Sequence, residues 1–161
     1  MALRNIIYSD NELLRKISKP VVEYNERLWQ LLDDMKETMI KGDGVELAAP
    51  QVGVLKRVVI VDVNNMFLEL VNPEIIKTEG NQYNVEGCLS VKGISGYCNR
   101  PLNVTVKAFD RFGKPFMISG TDLLAVCLCH EIDHLNGKLF TDIMVEEYKP
   151  KNKNNNQNSK K

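Results

Sequence analysis

The chain lacks long apolar runs, and it has few aromatic residues. No segment approaches the roughly 18 consecutive apolar residues of a membrane span, and the N-terminus has no apolar region with a small-residue cleavage site. We therefore expect a cytoplasmic protein that does not bind membranes. Aromatic residues make up only 7% of the chain, yet 43% of its residues are hydrophobic and 26% are charged, which excludes a disordered or collagen-like protein. A length of 161 residues predicts one domain.

An excess of basic charge is also absent from the body of the chain. The formal net charge is zero, but residues 149–161 contain five lysines and no acidic residue, which leaves 16 basic against 21 acidic side chains before them. This balance argues against DNA binding. We predict a single catalytic domain over residues 1–147 and a disordered, Lys- and Asn-rich tail over residues 148–161, because such a tail buries too little apolar surface to fold. A weak contact of the tail with RNA is the alternative.

The chain contains only two histidines, and they lie close together in the sequence. His130 and His134 are four residues apart, and Glu131 directly follows the first. On an α-helix the two imidazoles share one face, so they can bind one metal ion while Glu131 acts as general base on a bound water. The alternative is a solvated helix with charged residues placed by chance. The apolar segment 123–129 argues against it, because ionisable groups at the end of a buried helix are usually functional or paired.

The helix itself is a poor source of a third metal ligand. Catalytic sites of this kind commonly use three protein ligands and leave one position open. Cys127 shares the face of His130 but lies about 10 Å from His134 along the axis, at 1.5 Å per residue. Cys129 is adjacent to His130 and is rotated about 100° away from it.

Residues outside the helix offer one better candidate. No histidine follows His134, and Glu146 and Glu147 stand just before the tail. Cys88 follows a glycine in the short segment 86–90 and is the best remaining ligand. It can also be interpreted as a packing residue or a nucleophile, although no further histidine is present to activate its thiol. Disulfides are not expected for any of the four cysteines in a reducing compartment.

The rest of the pattern predicts strands in the middle of the chain and helices at both ends, hence an α+β fold. Residues 11–17 predict a short helix capped by Ser9 and Asp10. Asn25 caps a second helix, which ends before Gly42. The predicted strands cover residues 57–63, 67–71, 74–78, 102–109 and 115–118. Residues 45–53 predict a loop, interpreted equally well as a packed connection or as a backbone surface that a ligand approaches.

Three segments resemble the signature motifs of the peptide deformylases in order and spacing: residues 44–53, 86–90 and 130–137. The similarity covers about residues 4–146. It implies an α+β fold with antiparallel or mixed sheets around a central helix that carries both histidines, and with N-terminal helices packed outside. It also implies hydrolysis of the formyl group from the formyl-methionine of newly synthesised polypeptides, with release of formate. The expected partners are formylated nascent peptides and, transiently, the ribosome; we expect a monomer.

The resemblance further implies roles for individual residues. The expected ligands of one divalent metal ion are Cys88, His130 and His134. Fe(II) is the native ion that the family implies, and zinc, nickel or cobalt can occupy the site. The expected catalytic groups are the base Glu131 and two donors to the oxygen that gains charge, Gln51 and the backbone N–H of Leu89. The residues expected to bind substrate are Gly44, Val45, Glu46, Val126 and Cys127.

The chain departs from the family pattern at three positions. Glu46 replaces the second glycine of the first motif, Cys129 replaces a glutamine, and Lys92 replaces a common proline. If its backbone is extended, we expect the Glu46 side chain to face solvent, and we expect Glu46→Gly to raise kcat/KM or leave it unchanged. Cys129 is hypothesised to add sensitivity to oxidation. No departure removes a ligand or the base, so activity is expected to persist.

Three other functions fit parts of the pattern. A zinc endopeptidase would need a third ligand downstream and a cleft between domains. A catalytically silent metal-binding module would keep its function without Glu131. A cysteine hydrolase that uses Cys88 as nucleophile would remain active in the presence of a chelator.

Overall fold

The structure is a computed structural model that describes residues 2–150. The strands are β1 (Glu46–Ala48), β2 (Val58–Val63), β3 (Met66–Glu79), β4 (Gln82–Cys88), β5 (Val91–Arg100), β6 (Asn103–Phe109), β7 (Pro115–Thr121) and β8 (Glu146–Glu147). The α-helices are α1 (Glu26–Lys41) and α2 (Leu123–Leu135). Short 3-10 turns cover Glu12–Arg15, Ala49–Val52 and Phe140–Asp142.

The strands form two antiparallel sheets, which confirms the predicted α+β class. One sheet has five strands in the order β1-β2-β3-β6-β7, and the other has three in the order β4-β5-β8. Side chains alternate along a strand, and β2 uses both of its faces. Val59 and Val61 pack in one core cluster with α2, whereas Val58 and Ile60 pack in a second cluster with α1. The larger sheet therefore has one helix on each face.

Helix α2 is the central element of the molecule. It contacts β1, β2 and β7 of the larger sheet and β5 of the smaller one. Eleven of its thirteen residues are buried, because its sequence is apolar almost throughout and has no fully solvated face. The two histidines are among the buried residues, so the helix carries its polar groups into the interior.

The N-terminal region confirms one predicted helix and corrects the other. Asn25 accepts a hydrogen bond from the backbone N–H of Leu28 and begins α1, which ends at Lys41 as predicted. The helix predicted over residues 11–17 is wrong: only the 3-10 turn Glu12–Arg15 forms, and Asn11 caps it. Leu14 is the single buried residue of this turn, which is too little apolar surface to stabilise an isolated α-helix.

The structure also differs from the predicted loop at 45–53 and from the predicted strands. The loop predicted over residues 45–53 contains β1, which forms because Leu47 pairs with Ile60 across the sheet. The two strands predicted at 67–71 and 74–78 are the single strand β3, which passes Pro73 at a register shift where Asn72 adopts φ 49°. Strands β4, β5 and β8 were not predicted. The glycines of β5 interrupt its alternation.

The first residue after the predicted domain boundary at 147 contacts the smaller sheet. The backbone N–H of Tyr148 donates to the carbonyl of Ser95 at 2.7 Å, and its ring packs edge-on against Tyr97. Residues 151–161 of the predicted tail lie outside the described residues. Among residues 2–150, no helix has the length and apolarity needed to span a bilayer.

Candidate active site

The three predicted metal ligands meet at one point in the structure. Strand β4 ends at Cys88, and α2 presents His130 and His134 one helical turn apart. One donor atom from each residue lies within 4.8 Å of the other two. Sγ of Cys88 is 3.4 Å from Nε2 of His134. The structure thus brings together the ligand set that the sequence predicted, although its elements are far apart along the chain.

The donor set fits a transition metal ion. One thiol and two imidazoles are the ligand types that zinc and iron bind in proteins, and three of them leave a coordination position open. The Nδ1 atom of His130 donates to Oε1 of Glu86 at 2.8 Å, so its Nε2 lone pair is free for a metal. This donor set and the orientation of His130 agree with the metal dependence that the sequence predicts.

A buried ionic network orients His130, and the sequence predictions missed it. Arg100 donates from two of its nitrogens to the carboxylate of Glu86, at 2.8 and 3.0 Å, and from a third to Asp133 at 2.6 Å. Burial alone would raise the pKa of Glu86, but the hydrogen bonds from His130 and Arg100 lower it to about 2. Glu86 therefore stays ionised and holds the imidazole ring in place.

Gln51 connects Cys88, the predicted cysteine ligand, to the first motif. It lies in the 3-10 turn Ala49–Val52 and is 1% exposed. Its Nε2 donates to Sγ of Cys88 at 3.4 Å and to Oγ of Ser90 at 3.2 Å, while its Oε1 accepts from the N–H of Ala48 at 2.9 Å. Leu89 lies between Cys88 and Ser90 in the turn after β4. Its backbone N–H therefore lies in the same turn that Gln51 contacts, which we call the oxygen-binding corner.

Glu131 is a buried carboxyl group beside the predicted metal ligands. Its Oε1 is 3.7 Å from Nε2 of His130, and its Oε2 is shielded from solvent without a hydrogen-bond partner among residues 2–150. Burial and the neighbouring Glu46 raise the pKa of Glu131 well above its ordinary value. A raised pKa suits a group that must accept a proton and later release it.

A cavity of about 330 Å³ opens above these residues. Its lining consists of Asp43, Gly44, Val45, Glu46, Gln51, Gly87, Cys88, Leu89, His130 and Glu131. Val126 and Cys127 are buried in α2 and are not part of this lining. A larger groove of about 430 Å³ lies over β3, β6 and β7 and contains none of the predicted site residues.

The structure corrects what we expected of Glu46. Its backbone is extended within β1, but its side chain does not face solvent: Oε2 is buried and has no partner among the described residues. Burial raises the pKa of Glu46, while the charges of His130 and Arg100 oppose this rise. The carboxyl group lies beside His130 and Glu131 at the wall of the cavity.

The other two departures lie away from the cavity. Cys129 packs in the core cluster of α2, and burial is the main cause that raises the pKa of its thiol to about 11. Few thiolates form at such a pKa, so the structure argues against the hypothesis that Cys129 adds oxidation sensitivity. The Lys92 ammonium lies 4.0 Å above the ring of Tyr8.

Comparisons with known proteins decide the family. The family model described as polypeptide deformylase matches residues 3–150. The chain belongs to that family. It is 55% identical to the peptide deformylase of Alkaliphilus metalliredigens over 147 residues, which is 91% of this chain and 100% of that protein. It is 54% identical to the peptide deformylase of Acetivibrio thermocellus over 145 residues, 90% of this chain and 85% of that one.

A solved structure agrees with the assignment. The crystal structure of a peptide deformylase from Legionella pneumophila superimposes with a TM-score of 0.86 at 50% identity, over 88% of this chain and 86% of that one. The chain is accordingly a hydrolase that removes the formyl group from newly made polypeptides, within a metal-dependent family.

Proposed function

We propose that Cys88, His130 and His134 hold one divalent metal ion, natively Fe(II), and that the residues around it carry out deformylation of formyl-methionine peptides. The bound metal supplies a Lewis acid that polarises the formyl carbonyl and makes a water molecule more acidic. The observation that carries this proposal is the convergence of one thiol and two imidazoles within 4.8 Å beside a buried carboxyl group. Zinc, nickel or cobalt satisfies the same donors.

Glu131 is proposed as the group that moves the proton. Its carboxyl group faces the cavity from α2, next to the ligand His130, and its buried Oε2 has no competing partner in the described chain. It accepts the proton of the attacking water and delivers it to the nitrogen that leaves as an amine. General acid–base catalysis of this kind contributes about 10²- to 10⁴-fold to the rate.

Gln51 and Leu89 are proposed to stabilise the oxygen that gains charge. Nε2 of Gln51 is held at the corner beside Cys88, and its Oε1 is fixed by the N–H of Ala48, which prevents the amide from rotating. A donor that is already oriented costs no reorganisation when the charge develops. The backbone N–H of Leu89 would add a second donor from the same turn.

The first motif is proposed to bind the peptide. Gly44, Val45 and Glu46 line the cavity, and β1 is an edge strand whose only sheet neighbour among the described strands is β2. An extended peptide can add to such an edge. A Cβ atom at Gly44 would approach Cδ1 of Leu89 to 2.8 Å, so a side chain there would displace the leucine side chain at the cavity. Val126 and Cys127 remain the proposed apolar wall for the methionine side chain, behind Glu46.

The structure gives less support to the rival functions. A cysteine hydrolase would use Cys88 with a histidine base such as His134, whose Nε2 lies 3.4 Å from the thiol sulfur, but it would not need His130 as a further donor at the same point. A silent metal-binding module would not need an unpartnered carboxyl group against the donors. The deformylase mechanism uses both the three donor residues and the buried carboxyl group of Glu131.

The decisive experiment combines metal analysis with a paired assay. After anaerobic purification, we expect one divalent ion per chain and turnover of formyl-Met-Ala-Ser but not of acetyl-Met-Ala-Ser. Glu131→Gln should retain the metal and lose about 10²- to 10⁴-fold in kcat. Full activity of Glu131→Gln, or of the enzyme after chelation, would contradict the mechanism.

We further propose that the enzyme works in the cytoplasm as a monomer and meets its substrates during transient association with the ribosome. The formyl group is present at the start of a new chain, so the substrate exists close to its site of synthesis. Co-sedimentation with translating ribosomes, and analytical ultracentrifugation of the free enzyme, test these two points separately.

A further inference from the structure

The N-terminal arm, residues 2–9, connects the two turns that meet at the oxygen-binding corner. The backbone N–H of Ile7 donates to the carbonyl of Gln51 at 2.8 Å. Two residues later, the backbone N–H of Ser9 donates to the carbonyl of Ser90 at 2.9 Å. Gln51 and Ser90 also contact each other through their side chains. One short segment outside the three signature motifs therefore holds both halves of the corner.

The turn that carries Gln51 depends on this contact with the arm. The 3-10 turn Ala49–Val52 has only four residues, and 3-10 turns have poorer hydrogen-bond geometry than α-helices. The N–H of Gly53 closes the turn on the carbonyls of Ala49 and Pro50, whereas the carbonyl of Gln51 accepts from Ile7. The hydrogen bond from the arm thus fixes the backbone from which the Gln51 amide extends.

The first half of the arm is anchored to α1. The backbone N–H of Ala2 and Nε of Arg4 donate to the two carboxylate oxygens of Asp34, at 2.8 and 3.0 Å. The backbone N–H of Arg4 donates to Oγ1 of Thr38 at 2.9 Å. Asp34 and Thr38 are one helical turn apart on α1. The arm therefore has a fixed position from which it can hold the corner.

Side chains of the arm add contacts near the same corner. Ile6 packs against the core cluster of α1, which includes both ends of the turn Ala49–Val52, and Leu89 packs against the same cluster. The Lys92 ammonium lies 4.0 Å above the ring of Tyr8. Because Lys92 is a departure from the family pattern, this cation–π contact is a link between arm and corner that the pattern does not predict.

We propose that the N-terminal arm positions the oxygen-binding corner, with Ile7 as the positioning residue that acts through Gln51. This inference rests on the proposed role of Gln51 in deformylation. The arm contributes no residue to the lining of the cavity, so it is not expected to contact the substrate. A misplacement of about 1 Å in a catalytic group can lower the rate by about 10²-fold. Loss of the arm contact should therefore lower kcat and leave KM unchanged.

Proline at position 7 tests the hydrogen bond to Gln51. Ile7→Pro removes the backbone N–H, and the Ile7 side chain belongs to none of the core clusters. With formyl-Met-Ala-Ser and the metal-loaded enzyme, we expect kcat to fall by about tenfold, with KM and metal content unchanged. In a Gln51→Ala background, Ile7→Pro should change kcat by less than about twofold, because both substitutions act through the same amide.

Two further variants control for the effect of proline itself. Asn5→Pro places a proline on the same arm, where the side chain is exposed and the backbone N–H makes no hydrogen bond within residues 2–150. It should leave kcat unchanged. A backbone ester at position 7 replaces the N–H by oxygen and retains the isoleucine side chain, so it gives the same test if Ile7→Pro misfolds. Melting temperatures identify a misfolded variant.

Three outcomes would overturn the inference. An unchanged kcat in the ester variant, with Gln51→Ala impaired, would refute the role of the arm and leave the proposed function intact. Losses that multiply in the double variant would show that the arm does not act through Gln51. An unchanged kcat in Gln51→Ala itself would refute the proposed role of Gln51, and the inference about the arm with it.

Discussion

Gln51 is the residue on which the proposed oxygen-binding corner depends. Its amide is held from both ends, by Ala48 on one side and by Cys88 and Ser90 on the other. We expect Gln51→Ala to lower kcat by about 10²- to 10³-fold, because one oriented donor to the developing charge is lost. Steady-state kinetics with formyl-Met-Ala-Ser measure this.

Ser90 provides the matched control for Gln51. It accepts from the same amide nitrogen, but it has no proposed contact with the reacting atoms. Ser90→Ala should therefore lower kcat much less than Gln51→Ala does. Equal losses in the two variants would mean that Gln51 acts only through packing.

Cys129 tests the effect of burial on thiol chemistry. It is 5% exposed, and burial raises the pKa of its thiol to about 11, so the reactive thiolate is scarce at neutral pH. We expect wild type and Cys129→Ser to lose activity at the same rate in hydrogen peroxide. Slower inactivation of Cys129→Ser would restore the hypothesis that this residue is an oxidation site.

At the scale of elements, the end of α2 depends on close approach to the N-terminal turn. Gly137 has φ 72°, and a Cβ atom there would collide with the backbone carbonyl of Arg15. We expect Gly137→Ala to lower the free energy of unfolding by about 2–4 kcal/mol, from left-handed backbone strain and overpacking together. Urea denaturation gives the value.

Gly53 isolates the backbone contribution to that loss. It has a similar φ of 79°, but a Cβ atom there would meet no atom within 4 Å. Gly53→Ala should therefore cost only about 1 kcal/mol, the strain of a left-handed residue. A loss as large as that of Gly137→Ala would show that contact with Arg15 is unimportant.

Arg100 joins three elements around the proposed metal ligands. It bridges β4 and α2 from β5 through Glu86 and Asp133, and its own side chain is 6% exposed. We expect Arg100→Met to weaken metal binding by about 10- to 100-fold, because Glu86 would no longer hold His130 in orientation. The free energy of unfolding should fall by about 3–5 kcal/mol, since a buried carboxylate loses its partner.

Arg111 is the control for this network. It also binds two carboxylates, those of Glu69 and Asp33, but its side chain is 26% exposed and it contacts none of the site residues. Arg111→Met should leave metal affinity unchanged in a competition titration with a chelator. A matching fall in metal affinity would attribute the effect of Arg100 to general destabilisation.

At the scale of the whole molecule, the C-terminal strand closes the smaller sheet. Strand β8 pairs with β5, and Tyr148 then adds a hydrogen bond to Ser95 and a ring contact with Tyr97. We expect a chain ending at residue 147 to be less stable than one ending at Pro150 by about 1–2 kcal/mol. Thermal unfolding of the two chains compares them, and equal melting temperatures would support the predicted domain boundary at residue 147.

Local patterns account for much of the fold. The apolar stripe of α1 and its Asn25 cap predicted that helix to within a residue, because both signals act through neighbours along the chain. Strands β1 and β5 were not predicted, because they depend on residues that are distant along the chain. Leu47 is in a strand because Ile60 pairs with it, and β5 contains glycines that local propensity disfavours.

For the site, the sequence by itself determined the family, and it predicted the metal ligands and the base. Only two histidines exist, their spacing places them on one helical face, and the geometry of that helix left Cys88 as the best candidate for the third donor. Tertiary structure alone decided which groups surround them. Glu86 and Glu46 are 44 and 84 residues from His130 along the chain, and only the packing of β4 and β1 against α2 brings their carboxyl groups to it. Burial then sets the charge and partners of each group, and no local pattern encodes burial.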